Sequence, residues 1–195
     1  LVASQLQKCG YSETTDINSA DAIFLNTCAI REKAQETVHN RLDSIHYLKK
    51  KKPKMIFGVL GCMAQNLKNE LLESKPYVDL ILGPDSYRRI PEIINSRNSE
   101  MEHQVDTRLS KFEVYEDLFP SRRSSANAWI SISRGCDNFC TFCIVPFTRG
   151  RERNRSIESI ISETKDAVNK GFIEITLLGQ NVNSYRTEKG NFATL

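Results

Sequence analysis

Short apolar runs alternate with longer segments whose apolar residues recur every third or fourth position, and this alternation restricts the fold more than any other feature. Ala22-Ile23-Phe24-Leu25 is one such run, ending at Asn26-Thr27-Cys28. Ala34, Val38, Leu42, Ile45 and Leu48 then form a helical stripe. Lys49 to Lys52 close that helix, where cations suit the negative end of its dipole, and Pro53 opposes continuation. Met55 to Leu60 reads as a second strand, ending at Gly61-Cys62. A short helix with Leu67, Leu71 and Leu72 inward follows. Val78 to Leu82 makes a third strand, stopped by Gly83-Pro84, and Tyr87, Ile90, Ile93 and Ile94 mark another helix. Strands alternating with helices over residues 22–96 predict an α/β fold with a parallel sheet.

Periodicity is lost over 97–126, where Arg97-Asn98-Ser99-Glu100 and Ser121 to Ser125 are polar and turn-rich. This stretch reads as a linker with one short apolar anchor, Phe112 to Phe119. A second α/β unit begins near Asn127. Trp129 to Ser133 alternates as a strand does, with Trp129 read as a packing residue. Ser156 is a suitable N-cap for a helix carrying Ile157, Ile160, Ile161, Thr164 and Val168, and Gly171 stands at the expected C′ position. Phe172 to Leu178 is the next strand, ending at Gly179-Gln180-Asn181. Strand, loop, helix, strand is the repeating unit of a TIM-like (β/α) barrel, which carries its chemistry on the loops after its strands. The predicted organisation is therefore an α/β domain over 1–96, a linker over 97–126 and the start of a barrel over 127–195.

Six cysteines interrupt this framework: Cys9, Cys28, Cys62, Cys136, Cys140 and Cys143. Their uneven spacing, and the lack of an opening basic-then-apolar segment, point to a reducing, cytoplasmic setting in which clustered thiols bind metal or do redox chemistry. No apolar run approaches the ~20 residues that cross a bilayer. The chain opens on Leu1 within a helical pattern and stops at Leu195 soon after a strand, so it reads as a fragment.

Cys28 and Cys62 each stand just past a predicted strand, on the side where open α/β sheets bind ligands. They face one site if those two strands are neighbours. Cys136, Cys140 and Cys143 form C-x3-C-x2-C. Structural zinc usually takes four protein ligands, and this triplet offers three. Three thiolates on a [4Fe–4S] cluster leave one iron open to an outside ligand. Taken alone, the triplet also fits a half zinc site or a dithiol.

The neighbourhood narrows these options. Arg134-Gly-Cys-Asp-Asn-Phe-Cys-Thr-Phe-Cys143 resembles the radical S-adenosylmethionine signature. Its continuation, Ile144 to Arg155, resembles the methylthiotransferase branch. Asn26 to Gln35, Gly58 to Cys62 and Leu178 to Ser184 are similar to the members of that branch that modify tRNA. The resemblance implies an N-terminal α/β domain, a partial barrel and a C-terminal RNA-binding β domain, the last absent from this sequence. It implies two [4Fe–4S] clusters: a radical-generating one on Cys136, Cys140 and Cys143, and an auxiliary one using Cys28 and Cys62. The third auxiliary ligand of the family lies in a Gly-Cys-x-Met-Asn motif that this sequence lacks. Cys9 is read as a small helix-end residue. Phe142 is expected near the adenine of S-adenosylmethionine, and Gly179 and Gln180 near its methionine end.

The implied activity is radical insertion of a methylthio group at C2 of N6-dimethylallyladenosine next to a tRNA anticodon. The implied partners are a tRNA anticodon stem-loop and an electron donor such as flavodoxin or ferredoxin, with no membrane and a monomeric chain. A sister branch that methylthiolates an aspartate of a ribosomal protein is the alternative enzyme, and a zinc-stabilised RNA-binding module the alternative of another class. Residues 120–155 carry seven arginines against Asp137 and Glu152, a local +5 in a chain of net +3. Arg149, Arg151, Arg153 and Arg155 are expected to contact RNA phosphates or unpaired bases, since guanidinium forks match phosphate geometry. The run Lys49 to Lys54 reads as a helix end, and His39, His46 and His103 as surface residues without ligand spacing. No Walker-type or G-x-G-x-x-G glycine pattern is present, so no nucleoside triphosphate or dinucleotide site is expected.

Overall fold

A computed structural model of the chain describes residues 1–29, 32–96, 103–122 and 126–195. Arg31, the polar turn 97–100 and Arg123 to Ser125 lie outside the described residues. The chain divides into two compact units, Val2 with Ser4–Leu109, and Ser110–Leu195 with Leu1 and Ala3.

The first unit begins with helix α1 (Val2–Lys8) and is built on four parallel strands: β1 (Ala22–Thr27), then after α2 (Glu32–Lys51) β2 (Ile56–Gly61), then after α3 (Cys62–Leu67) and α4 (Asn69–Ser74) β3 (Leu80–Leu82). A 3-10 turn (Tyr87–Arg89) and α5 (Ile90–Asn95) lead to β4 (Gln104–Asp106), and the sheet order is β1-β2-β3-β4. The α2 stripe behaves as its spacing predicts. Leu42 packs with Val59, Met63, Leu71 and Ile81, while Ile45 and Leu48 pack with Met55 and Phe57. Every residue of β2 after Ile56 is buried, as a central parallel strand covered on both faces requires.

Asp79, at the foot of β3, is buried with its carboxylate fully used. It accepts from Lys49 Nζ at 2.7 and 2.8 Å and from the Phe57 amide at 2.8 Å. The lysine run thus contributes one cation to a buried pair rather than only ending a helix. His46 is not a bare surface group either: its ring stacks on Tyr77 at 3.9 Å between centroids.

Two expectations change here. The single helix expected after Cys62 is split into α3 and α4 by Lys68, whose φ of +47° breaks the helical run. Strand β4 falls inside the stretch read as linker. Three residues flanked by polar sequence carry too little alternation to show, yet β3 supplies a ready edge for Gln104, Val105 and Asp106 to pair with.

The second unit pairs β5 (Asn127–Ser131) in parallel with β8 (Glu174–Leu178). Between them in sequence lie β6 (Ser133–Arg134), α6 (Val145–Arg149), β7 (Arg153–Asn154) and α7 (Ile157–Asn169). The short strands β6 and β7 are antiparallel. Ser156 caps α7 through its hydroxyl, which accepts from the Ser159 amide, and Gly171 takes the left-handed φ of +88° at C′. Ile130, Ile132, Ile160 and Tyr185 make one core cluster, and Ala128, Ala167 and Phe172 another. A small ribbon of β9 (Arg186–Thr187) and β10 (Gly190–Asn191) ends the chain.

The strand alternates as expected, but Trp129 is not the packing residue its sequence suggests. Ala128, Ile130 and Ile132 are buried, which leaves Trp129 on the opposite face and 66 % exposed. Of the apolar anchor Phe112 to Phe119, Tyr115 and Leu118 are buried while Phe112 is exposed.

Candidate functional site

The cysteine triplet sits in the loop 135–152 that joins β6 to β7. Gly135 opens it at a φ of +73°, in the left-handed region, and a Cβ there would overlap the carbonyls of Gly150 and Arg151. The two stems of the loop therefore touch backbone to backbone, and the Cys136 amide donates to the Gly150 carbonyl at 3.2 Å. Phe139 also holds a left-handed φ, +46°, and the Cys143 amide donates to the Cys140 carbonyl at 2.9 Å. These turns fold the eight-residue span Cys136–Cys143 back on itself. Cys140 is exposed and Cys136 and Cys143 are half-buried, none in a disulfide.

Arg151 braces the loop from outside. Its guanidinium lies 4.4 Å from the Phe139 ring centroid and 3.6 Å from Asp137 Oδ1, whose carboxylate also accepts the Glu152 amide at 3.1 Å. Arg134, just before the loop, is buried with its guanidinium 4.7 Å from the Tyr115 ring. Phe142 is 92 % exposed, so its ring face is open to a ligand. Gly179 and Gln180 follow β8 at the same strand end at which β5 leads to the triplet. A side chain at Gly179 would meet the Ser133 hydroxyl at 2.5 Å, so glycine keeps that loop low over β6.

The four arginines expected to contact RNA divide into two kinds. Arg155 is 3 % exposed and donates to Glu163 Oε2 at 2.5 Å, to Ser159 Oγ at 2.7 Å and to the Ser131 carbonyl at 3.0 Å. Glu163 also pairs with Arg122. Arg153 is buried as well, donating to the Ser110 carbonyl and to the Arg149 carbonyl, the latter at 2.6 Å. The expectation of phosphate contact is corrected for both, because their forks are spent inside the fold. Arg149 is half-buried and Arg151 is exposed. Glu163 escaped sequence reading, although it shares a helix face with Ile160 and Ala167, which marks it as an inward acid.

In the first unit, β1 and β2 are neighbours with Thr27 opposite Gly61. Cys28 follows β1 directly and Cys62 follows β2 directly, so both thiol-bearing residues sit at one end of adjacent strands. Cys28 is exposed and Cys62 buried. Cys9, at the end of α1, is exposed and belongs to neither group.

Among the described residues, no three His, Cys, Asp or Glu side chains converge closely enough to hold a single metal ion. An iron–sulfur cluster asks for something else, one thiolate for each of several irons. Cysteine thiolates are the chemistry it needs, and three of them lie on one tightly turned, partly exposed loop. Two more cysteines, Cys28 and Cys62, stand at the ends of adjacent strands.

Residues 1–83 match the family model described as Uncharacterized protein family UPF0004, and residues 130–193 match the Radical SAM superfamily. A protein of Bacteroides fragilis named tRNA-2-methylthio-N(6)-dimethylallyladenosine synthase is 51 % identical over 191 residues, covering 97 % of this chain and 41 % of the relative. Proteins of the same name in Christiangramia forsetii and Chloroherpeton thalassium are 50 % and 47 % identical, over 95 % and 100 % of this chain and 39 % and 44 % of their own lengths. The chain thus spans about two fifths of the length of the curated relatives it matches. Two family models match in order, and about half of the residues are shared along nearly the whole chain, so this chain is similar throughout to the corresponding part of those synthases, and its second unit to the Radical SAM superfamily.

Proposed function

We propose that this chain carries the cluster-binding part of an enzyme that adds a methylthio group to C2 of N6-dimethylallyladenosine in tRNA. The observation that carries the reading is the loop 135–152, which gathers three cysteines at the C-terminal end of a parallel strand pair, beside the loop that begins at Gly179. Barrel enzymes place their reacting groups at that end.

In this reading Cys136, Cys140 and Cys143 hold a [4Fe–4S] cluster, and Cys28 and Cys62 supply two ligands of a second. Such clusters, with S-adenosylmethionine, supply radical and sulfur-transfer chemistry suited to a C–H bond that acid–base groups cannot activate. The protein's own residues bind and orient. The Phe142 ring offers a flat face for an adenine, and apolar or aromatic surface holds such a ring by stacking. Gly179 and Gln180, in the loop after β8, are the residues placed to meet the methionine end. Arg151, and Arg149 next to it, present cationic surface to RNA phosphates, while Arg153 and Arg155 keep the loop in shape. Among the described residues no helix is long and apolar enough to cross a membrane. In this reading the enzyme acts on tRNA in the cytoplasm and is reduced by a small electron carrier.

The test is complementation. The full-length gene is returned to a strain deleted for its methylthiotransferase, and the tRNA is digested to nucleosides. Recovery of 2-methylthioadenosines supports the reading. Failure to recover them, or methylthiolation of a ribosomal protein instead, overturns it. Anaerobic addition of iron and sulfide should give a broad visible absorption that Cys136→Ala diminishes, whereas stoichiometric zinc without that absorption would favour the RNA-binding module.

A further inference from the structure

We infer that Thr27 and Gly61 form a clasp that fixes the separation of Cys28 and Cys62, making Thr27 a positioning residue for the cluster those cysteines hold. The inference rests on the proposed cluster-binding role of the two cysteines and adds a residue to it.

The ladder between β1 and β2 ends at the pair Thr27 and Gly61, and each cysteine is the next residue along its own strand. This pair is therefore the last fixed point before either thiol. Two contacts hold it. The Thr27 side chain, in a residue 8 % exposed, donates its hydroxyl to the Leu60 carbonyl across the strands at 2.8 Å. Gly61 adopts φ +93° and ψ −158°, a conformation that only glycine takes without strain. A Cβ at 61 would sit 2.6 Å from the Thr27 carbonyl oxygen and 3.2 Å from its nitrogen. The strands thus approach more closely than any other residue permits.

The sharp turn at Gly61 passes straight from strand into α3, so that Cys62 is the first helical residue with no intervening loop. Asn26, on the other side of Thr27, is held by the Tyr87 hydroxyl, which donates to its Oδ1 at 3.3 Å. The end of β1 is thereby tethered both to β2 and to the turn before α5. A ligand set works when its members are held by packing and hydrogen bonds that are made before the metal arrives. Thr27 supplies one such bond at the joint between the two thiols.

The experiment uses the full-length enzyme, reconstituted anaerobically, in a background where Cys136, Cys140 and Cys143 are all alanine, so that only the second cluster remains. Thr27→Val keeps the shape and deletes the hydroxyl, whereas Thr27→Ser keeps the hydroxyl. Iron and sulfide per chain, iron affinity, and the EPR spectrum of the reduced cluster are measured. Thr27→Val is expected to weaken iron retention against a chelator by about tenfold or more, the range for lost outer-sphere partners. It should also move the EPR signal, with Thr27→Ser restoring both. Iron retention and spectra unchanged in Thr27→Val overturn the clasp alone. A background protein with native Thr27 that binds no iron overturns the cluster assignment itself, and the clasp with it.

Discussion

Glu163→Ala tests the most heavily charged interior of the barrel unit. Glu163 is 1 % exposed and accepts from both Arg155, at 2.5 Å, and Arg122. Removing it leaves two guanidinium groups out of water without a carboxylate, since the side chains of Arg155 and Arg122 are only 4 % and 9 % exposed. Breaking a buried ion pair by deleting one partner costs about 3–5 kcal/mol. Arg155 keeps its bonds to Ser131 and Ser159, so the lower end, ~3 kcal/mol, is expected. With a urea slope of about 1–2 kcal/mol per molar for a unit of this size, the midpoint should fall by roughly 1.5–3 M.

Trp129 is the only tryptophan in the chain, lies on β5 of the same unit and accepts from Arg122 through its carbonyl, so its fluorescence follows this unit's unfolding. Replacing all three charges by Leu or Met of similar volume should recover most of the loss, because the desolvation cost disappears with the attraction. A midpoint shift under about 0.5 M for Glu163→Ala would refute the argument that this network is buried and closed.

Other outcomes follow from the same geometry. Gly135→Ala places a methyl group into the carbonyls of residues 150 and 151 and should abolish iron uptake by the triplet; Gly150→Ala meets nothing within 4 Å and should cost only the backbone strain of its glycine-type conformation (φ +75°, ψ −167°), about 1–3 kcal/mol, with iron retained. Arg151→Ala should weaken binding of an anticodon stem-loop and lower the slope of log affinity against log salt by about one, with little effect on stability; Arg155→Ala should instead destabilise the fold by about 3 kcal/mol. The Asp43 carboxyl is held below the ordinary carboxylate range, first by the hydrogen bond from Lys75 and then by that from the Tyr77 hydroxyl. Its contribution is therefore present above the unfolded pKa and is lost as pH falls through the lowered folded one. Asp43→Asn should flatten the acid limb of the stability profile below about pH 4. Burial, aided by the bond to Asp43, pushes the Tyr77 phenol above its usual range, so its ultraviolet titration should come later than that of an exposed tyrosine.

Much of this protein is legible in its sequence. The α2 stripe, the Ser156 cap and the Gly171 stop depend on neighbours three and four residues away, and local sequence carries that information in full. The triplet, too, is a local object: C-x3-C-x2-C brings three thiols onto one loop whatever surrounds it. Strand β4 was not legible, because three residues show no period and exist as a strand only where β3 offers an edge.

Tertiary structure decided where Trp129 and the arginines around the cysteine loop end up. Alternation along β5 defines two faces, and only the position of α7 buries Ala128 and Ile130 and leaves Trp129 outside. The arginine-rich stretch reads as one cationic surface, yet Arg153 and Arg155 point inward because Ser110 and Glu163, distant in sequence, supply their acceptors. Nor does the sequence say that Cys28 and Cys62, with 33 residues between them, follow adjacent strands, since strand order is a property of the sheet. The sequence determines which groups are available and how neighbouring residues turn the chain. Long-range packing determines which of those groups remain facing solvent, and so which can act.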